Sequence, residues 1–484
     1  MRLSYLPPLM VYAAFGVQGL ITIVGTFFVK DYLTLSPAEL AALYFWAGIP
    51  WALKMPVGHV VDLIWRWKAL LVWLGAGMIA ASILIMVGLT TRMEDMRGLM
   101  SAENWYVLAA LLMPTGYMIQ DAVADAMTVE AVPRVGDAQL QKSMHTTMQT
   151  LGRVAVIGGL ALVAGANIYI FAGTENLPKD RKLALYAQVY TVALIIPVLS
   201  VLGVVLHRFL KHERESVEKT HPNWAVLGGS LAFVAFTFGV GMGGVPYAQE
   251  IIFTGSLGII LFLLWRLARE LTPAAKEVLV ATALVIFIYR SAPLTGDGTG
   301  WWMIDVLKFD QGFFAQLQLV TYALTLAGMF ALRRFMAEHS IATIVVVLSL
   351  VGAVLTLPTI GMYYGLHEWT AARTGGVVDA RLIALVDTAL ASPLGQIAMI
   401  PMLAWIANSA PPNLKATYFA VMASFSNLAL SASQLGAKYL NQVYVIKRGD
   451  YSELGALLIA ATAIGLLLPL AAVAGVRLLR LRTA

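Results

Sequence analysis

No cysteine occurs in the 484 residues, so neither a disulfide nor a thiolate metal site can be built, and nothing follows about redox compartment. Charge is scarce as well. Asp, Glu, Lys and Arg make up 12% of the chain, where a soluble domain carries about 25%. That scarcity excludes a soluble globular protein, and with 59% hydrophobic residues it leaves a polytopic membrane protein. Also missing are a Walker loop, a dinucleotide fingerprint and zinc-ligand spacing, so no cofactor, no metal and no enzymatic chemistry are expected. The net charge of +6 reads as a topology signal rather than as a nucleic-acid-binding one.

What the chain does have is a succession of apolar runs, each of about 18 to 28 residues and able to cross a hydrocarbon core of roughly 30 Å. A closed barrel would show short alternating segments instead, so the expected fold is all-α. The first run follows Met1-Arg2 without a small-residue cleavage pattern and reads as a retained spanning helix. Helices are expected near 5–29, 38–61, 68–90, 104–130, 143–171, 183–208, 224–244, 247–267, 276–293, 313–333, 340–365, 380–407, 414–441 and 453–479, about fourteen in all. Both termini are placed in the cytoplasm, because that choice puts the larger share of Lys and Arg on inside loops. The organisation expected is then an N-terminal six-helix bundle over 1–208, a cytoplasmic linker with an extra hairpin over 209–270, and a C-terminal six-helix bundle over 271–484. This six-plus-six plan resembles the major facilitator superfamily.

Between the second and third helices, "PWALKMPVGHVVDLIWRWK" carries Gly58, Asp62, Arg66 and Lys68. The spacing resembles that superfamily's loop motif. Gly58 is expected to permit close helix approach, Asp62 to accept hydrogen bonds from a neighbouring helix N-terminus, and the basic pair to hold the loop inside. At the equivalent loop of the second half, Gly328 and Arg333-Arg334 remain but Leu332 replaces the acid.

The stretch "QDAVADAMTVEAVPR" places Asp121 and Asp125 four residues apart at the end of an apolar run. That spacing puts both carboxylates on one helix face, where two full charges repel and a shared proton or a cation is needed. Buried carboxylates in a bilayer need a partner or a wet cavity. Along "MHTTMQTLGRVAVIGG", His145, Gln149 and Arg153 recur every four residues, with Gly152 and Gly158 suited to close packing, and Arg153 is the expected cationic partner. The cluster reads either as a proton-coupling or substrate-contacting site or as a structural ion pair.

Other candidates for the pathway are single residues. Asp387 lies in the tenth helix, where "LVDTA" aligns with "VADAM" around Asp125. Arg290 ends the apolar part of the seventh, and Asp297 follows it. Tyr12 and Gln18 on the first helix and the intramembrane cation Lys54 on the second are further candidates. On the eleventh helix Ala420, Ser424, Asn427 and Ser431 form one small polar face, which suits helix packing as well as solute contact.

Residues 16–40, the Pro50-Trp51-x-x-Lys54 approach, "QDAVADAMTVEAV" and residues 386–436 together resemble the folate–biopterin transporter family, over both bundles but not over roughly 209–270. Met55 and Lys415 stand where that family usually has proline and glutamate. The related muropeptide permeases share the Gln-Asp-x-x-x-Asp pattern and extra central helices. The resemblance sets Pro293 and Asp297 on a broken seventh helix. It implies a secondary transporter of a small organic, folate- or pteridine-like solute, proton-driven, monomeric, in a bacterial inner membrane. A muropeptide-type permease and a nontransporting scaffold or pigment-delivery protein on the same fold are the alternatives.

Overall fold

All regular secondary structure among the described residues is helical. The computed structural model describes residues 3–52, 54–64, 67–132, 138–174, 177–210, 245–269, 271–396 and 415–483, with isolated residues between 228 and 241; for some helical residues it describes the backbone only. Eight helical runs among them are long and apolar enough to cross a membrane. Much of the expected helix near 224–244 and the second half of that near 380–407 lie outside the described residues.

The first span runs as two helical segments that meet at Gln18. Helix α1 (Leu6–Val17) ends at Gln18 and α2 (Gly19–Tyr32) continues the run, with the buried Asn167 amide donating to the Gly19 and Leu20 carbonyls, each at 3.4 Å. Then come α3 (Pro37–Ala52), α4 (Lys54–Leu63), α5 (Ala69–Thr91), the short α6 (Met93–Arg97), α7 (Ala102–Ala131), α8 (Ala138–Ile170), α9 (Lys179–Ala193) and α10 (Ile195–Phe209). After the linker follow α11 (Ala248–Ala268), α12 (Pro273–Arg290), α13 (Gly298–Asp305), α14 (Gln311–Ala331), α15 (Arg333–Glu338), α16 (Ile341–Tyr363), α17 (Leu366–Arg373), α18 (Ala380–Ala391), α19 (Lys415–Val443) and α20 (Leu454–Leu478). Several starts are written in the sequence. Before α3, Ser36 and Glu39 form a reciprocal cap, the Ser36 amide donating to Glu39 Oε2 at 2.7 Å and the Glu39 amide to Ser36 Oγ at 3.3 Å, with Pro37 at the first helical position. Ser101, Thr272, Ser340 and Asp379 cap α7, α12, α16 and α18 through their side-chain oxygens.

By contacts the chain divides into two compact units, Met1–Thr34, Leu53–Ala232 and Asp310–Tyr322 in one, Leu35–Ala52, Phe233–Phe309 and Ala323–Ala484 in the other. In the first unit α7 lies against α5, and the crossing is close because Gly75 and Gly116 meet there: a β-carbon on either would stand 2.6 Å from the other's carbonyl oxygen. On the same side Val61, Val72, Val123, Met127 and Val204 form an apolar cluster joining α4, α5, α7 and α10. Helix α1 packs on α8 and α10, with the Gly159 Cα 3.0 Å from where a β-carbon on Gly16 would be. In the second unit α19 packs on α3, α11 and α12, and α16 packs on α20 and α18.

Two expectations about glycines are corrected. Among the described residues, a β-carbon on Gly58 would meet nothing within 4 Å, so no close helix approach is seen there, whereas one on Gly328 would fall 2.5 Å from the Pro393 carbonyl oxygen. Likewise Gly158 faces open space and the tight contact belongs to its neighbour Gly159. The motif spacing does not specify which half of the molecule uses its glycine for packing.

Candidate functional site

Helix α7 is fixed about its axis from behind. Gln120, 2% exposed, donates its amide to the Val72 carbonyl at 3.2 Å and to Ser200 Oγ at 3.0 Å, tying α7 to α5 and α10. With Gln120 and the Gly75–Gly116 crossing on one side, the helical period turns Asp121 and Asp125 toward α4 and α1.

There the two carboxylates share one cation. Lys54 Nζ, on the first residue of α4, lies 2.5 Å from Asp121 Oδ2 and 2.7 Å from Asp125 Oδ2. Tyr12 of α1 donates its hydroxyl to the remaining Asp125 oxygen, Oδ1, at 2.5 Å. The side chains are 28% exposed for Lys54, 27% for Asp121 and 45% for Asp125, so the cluster is partly withdrawn from solvent yet open on the Asp125 side. With both acids ionised the triad carries one net negative charge, and one added proton neutralises it. Lysine suits the place because its ammonium is a compact charge with three donors, able to bond both acids at once.

The expected partner was Arg153. Arg153 is exposed, and among the described residues the cation paired with both acids is Lys54. Its neighbour Gly152 does bear on the site, since a β-carbon there would stand 3.0 Å from the Tyr12 ring. The side chains of His145 and Gln149, on the same helix, lie outside the described residues. So do Arg66 and the Asp62 side chain. Lys68, expected to help hold the loop inside, precedes α5 at its N-cap position and is buried. Gln18 sits at the α1–α2 junction with a helical backbone.

In the second unit the candidates are dispersed. The run from Ser291 to Asp297 separates α12 from α13, so Pro293 and Asp297 do lie in a helix break. Two of its carbonyls are held by side chains of α19, Ala292 accepting from Ser433 Oγ at 2.7 Å and Thr295 from Asn441 Nδ2 at 3.1 Å. Asp297 accepts from the Tyr44 hydroxyl at 3.3 Å. Asn427 donates to the Trp51 carbonyl of α3 at 3.4 Å, and Ser431 lies opposite Gly48, so that face of α19 packs a helix. Asp387 Oδ1 and Arg290 Nε are buried without a hydrogen-bond partner among the described residues.

Two positioning residues, Gln120 and Gly75, escaped the sequence reading. Gln120 stood in the quoted pattern, and a glutamine inside an apolar run is itself a signal that a partner must exist. Gly75 had no such mark among the many glycines of the chain.

A model of the BT1 family matches residues 181–476 of this chain. A folate-biopterin transporter of Synechocystis sp. is 25% identical over 478 residues, 96% of this chain and 79% of that protein. The solved structure of the nucleoside transporter NupG is similar with a TM-score of 0.65 at 11% identity, covering 98% of this chain and 99% of that one. An auto-inhibited peptide transporter of the POT family gives a TM-score of 0.65 at 14% identity, with coverage of 99% and 97%. At those identities the two structures speak to the fold, which is the major facilitator type.

Proposed function

Since this chain belongs to the BT1 family, we propose that it is a secondary active transporter carrying a folate- or pteridine-like organic solute by alternating access, driven by protons through the cluster of Lys54, Asp121 and Asp125. The observation that carries the coupling reading is the charge balance of that cluster. One lysine between two aspartates is one proton short of neutrality, and a bilayer interior favours the neutral form when solvent is excluded. Tyr12 holds Asp125 by one oxygen, leaving its other to Lys54. A proton taken up on Asp125 would weaken its grip on Lys54 and Tyr12 together, and that gives proton binding a mechanical consequence.

The substrate class rests on the family and on the name of the Synechocystis relative. Arg290, Asp297, Asp387 and Asn427 of the second unit, with Gln18 and Arg153 of the first, are proposed to line the pathway, and Gly58, Asp62, Arg66 and Lys68 to act on conformational change. The protein is proposed to work as a monomer in the inner membrane with both termini in the cytoplasm. Purified protein in liposomes, given labelled folate, pterins or muropeptides with an imposed pH gradient, tests the reading. Accumulation of a folate or pterin that collapses with a protonophore is expected. Uptake of muropeptides only, or accumulation indifferent to the protonophore, would defeat it.

A further inference from the structure

Helix α11 lies within residues 181–476 matched by the BT1 model, which corrects the expectation that the family resemblance fails over roughly 209–270, and its second and third residues, Gln249 and Glu250, are polar. The Gln249 amide, 7% exposed, is held at both ends. Its Nε2 donates to the Ala42 carbonyl of α3 at 2.9 Å, and its Oε1 accepts from Lys438 Nζ of α19 at 2.9 Å. Lys438 also pairs with Glu250 Oε1 at 2.9 Å, and the Tyr439 hydroxyl donates to that same oxygen at 2.5 Å. A single planar amide therefore spans from α3 to α19, and it satisfies both groups only at one separation of the two helices.

Other contacts between α3 and α19 among the described residues are of a different kind. Along the rest of their contact the helices meet through small residues, Gly48 against Ser431, and through the 3.4 Å bond from Asn427 to the Trp51 carbonyl. Small-residue contacts let helices part and rejoin without stranding charge. Glu250 differs, because its Oε2 is buried without a partner and the ion pair with Lys438 is its main compensation among the described residues.

We propose that Gln249 and Glu250 form a strap by which α11 holds α3 against α19, and that release of this strap accompanies the parting of the two helices in the transport cycle. The role in the cycle rests on the alternating-access reading above; the strap itself does not.

The absence of native cysteine makes the test clean. A β-carbon on Gly48 would lie 3.4 Å from Ser431 Oγ, so the pair Gly48→Cys and Ser431→Cys falls within reach of a disulfide while α3 is seated on α19. In full-length protein in liposomes, without substrate, oxidation is expected to close this pair readily. Adding Glu250→Gln or Lys438→Gln should slow closure about fivefold or more, by shifting the population toward the parted state. The exchange of Glu250→Lys with Lys438→Glu should restore much of the rate. Gln249→Ala removes the amide without stranding a charge and carries the test if the charge variants fail to fold. Closure at the unaltered rate in Gln249→Ala, and in whichever of Glu250→Gln and Lys438→Gln folds, would overturn the strap. A failure of folate or pterin uptake would leave that result untouched, because the crosslink is read without transport.

Discussion

The Tyr12 ring and Gly152 are in such close register that a β-carbon on Gly152 would stand 3.0 Å from the ring, and the same Tyr12 donates its hydroxyl to Asp125 at 2.5 Å. Helix α8 thus sets where the tyrosine can reach. Gly152→Val is expected to push the ring aside, cost about 1 to 3 kcal/mol of overpacking and lower uptake roughly tenfold. In a Tyr12→Phe background the further loss of uptake should be small, because both changes act on one hydrogen bond. Uptake rates and thermal unfolding of the two single variants and the double variant check this; wild-type uptake by Gly152→Val would refute it.

Lys54 carries the charge balance of the cluster, so Lys54→Gln leaves Asp121 and Asp125 facing each other uncompensated. Removing one partner of a fully buried pair costs about 3 to 5 kcal/mol, and the 45% exposure of Asp125 brings the expected loss to about 2 kcal/mol. Lys54→Gln combined with Asp121→Asn should recover most of the stability but not the transport. Unfolding of the detergent-solubilised variants is the measurement, and an unchanged midpoint in Lys54→Gln would show that the pair is solvent-compensated.

Asp125→Asn and protonated Asp125 have the same charge, so the variant mimics a permanently loaded carrier. Exchange of substrate across the membrane should persist within a few fold, while accumulation driven by a pH gradient should fall to that expected from substrate concentrations. Asp121→Asn keeps the Tyr12 contact with Asp125 and should lose less coupling. If both variants accumulate substrate like wild type, coupling lies elsewhere, and Asp387, whose Oδ1 is buried without a partner among the described residues, is the next residue to test.

Glycines that look alike in sequence should respond in opposite ways. Gly116→Val places side-chain atoms where Gly75 O already stands 2.6 Å from the β-carbon position, and more than about 3 kcal/mol should be lost, enough to abolish folded yield. Gly58→Ala enters open space within a helix and should be neutral or stabilising by up to about 1 kcal/mol. A comparison of folded yield by size-exclusion chromatography separates the two; equal behaviour would mean that neither contact is as described.

That the chain is helical and membrane-spanning follows from its residues alone, because run length and scarcity of charge decide that against any background. The sequence also put Asp121 and Asp125 on one helical face, since a face is a local property of the chain. What it left open was every choice of partner. Lys54 and Arg153 were both intramembrane cations, and only the packing of α7 on α5 through Gly75 and Gly116, with Gln120 bonded to Val72 and Ser200, turns the acids toward Lys54. Period specifies which residues share a face, whereas the neighbour that the face meets depends on where helices distant in the chain come to pack. Lys54 and Asp121 are 67 positions apart, a separation over which no local rule operates.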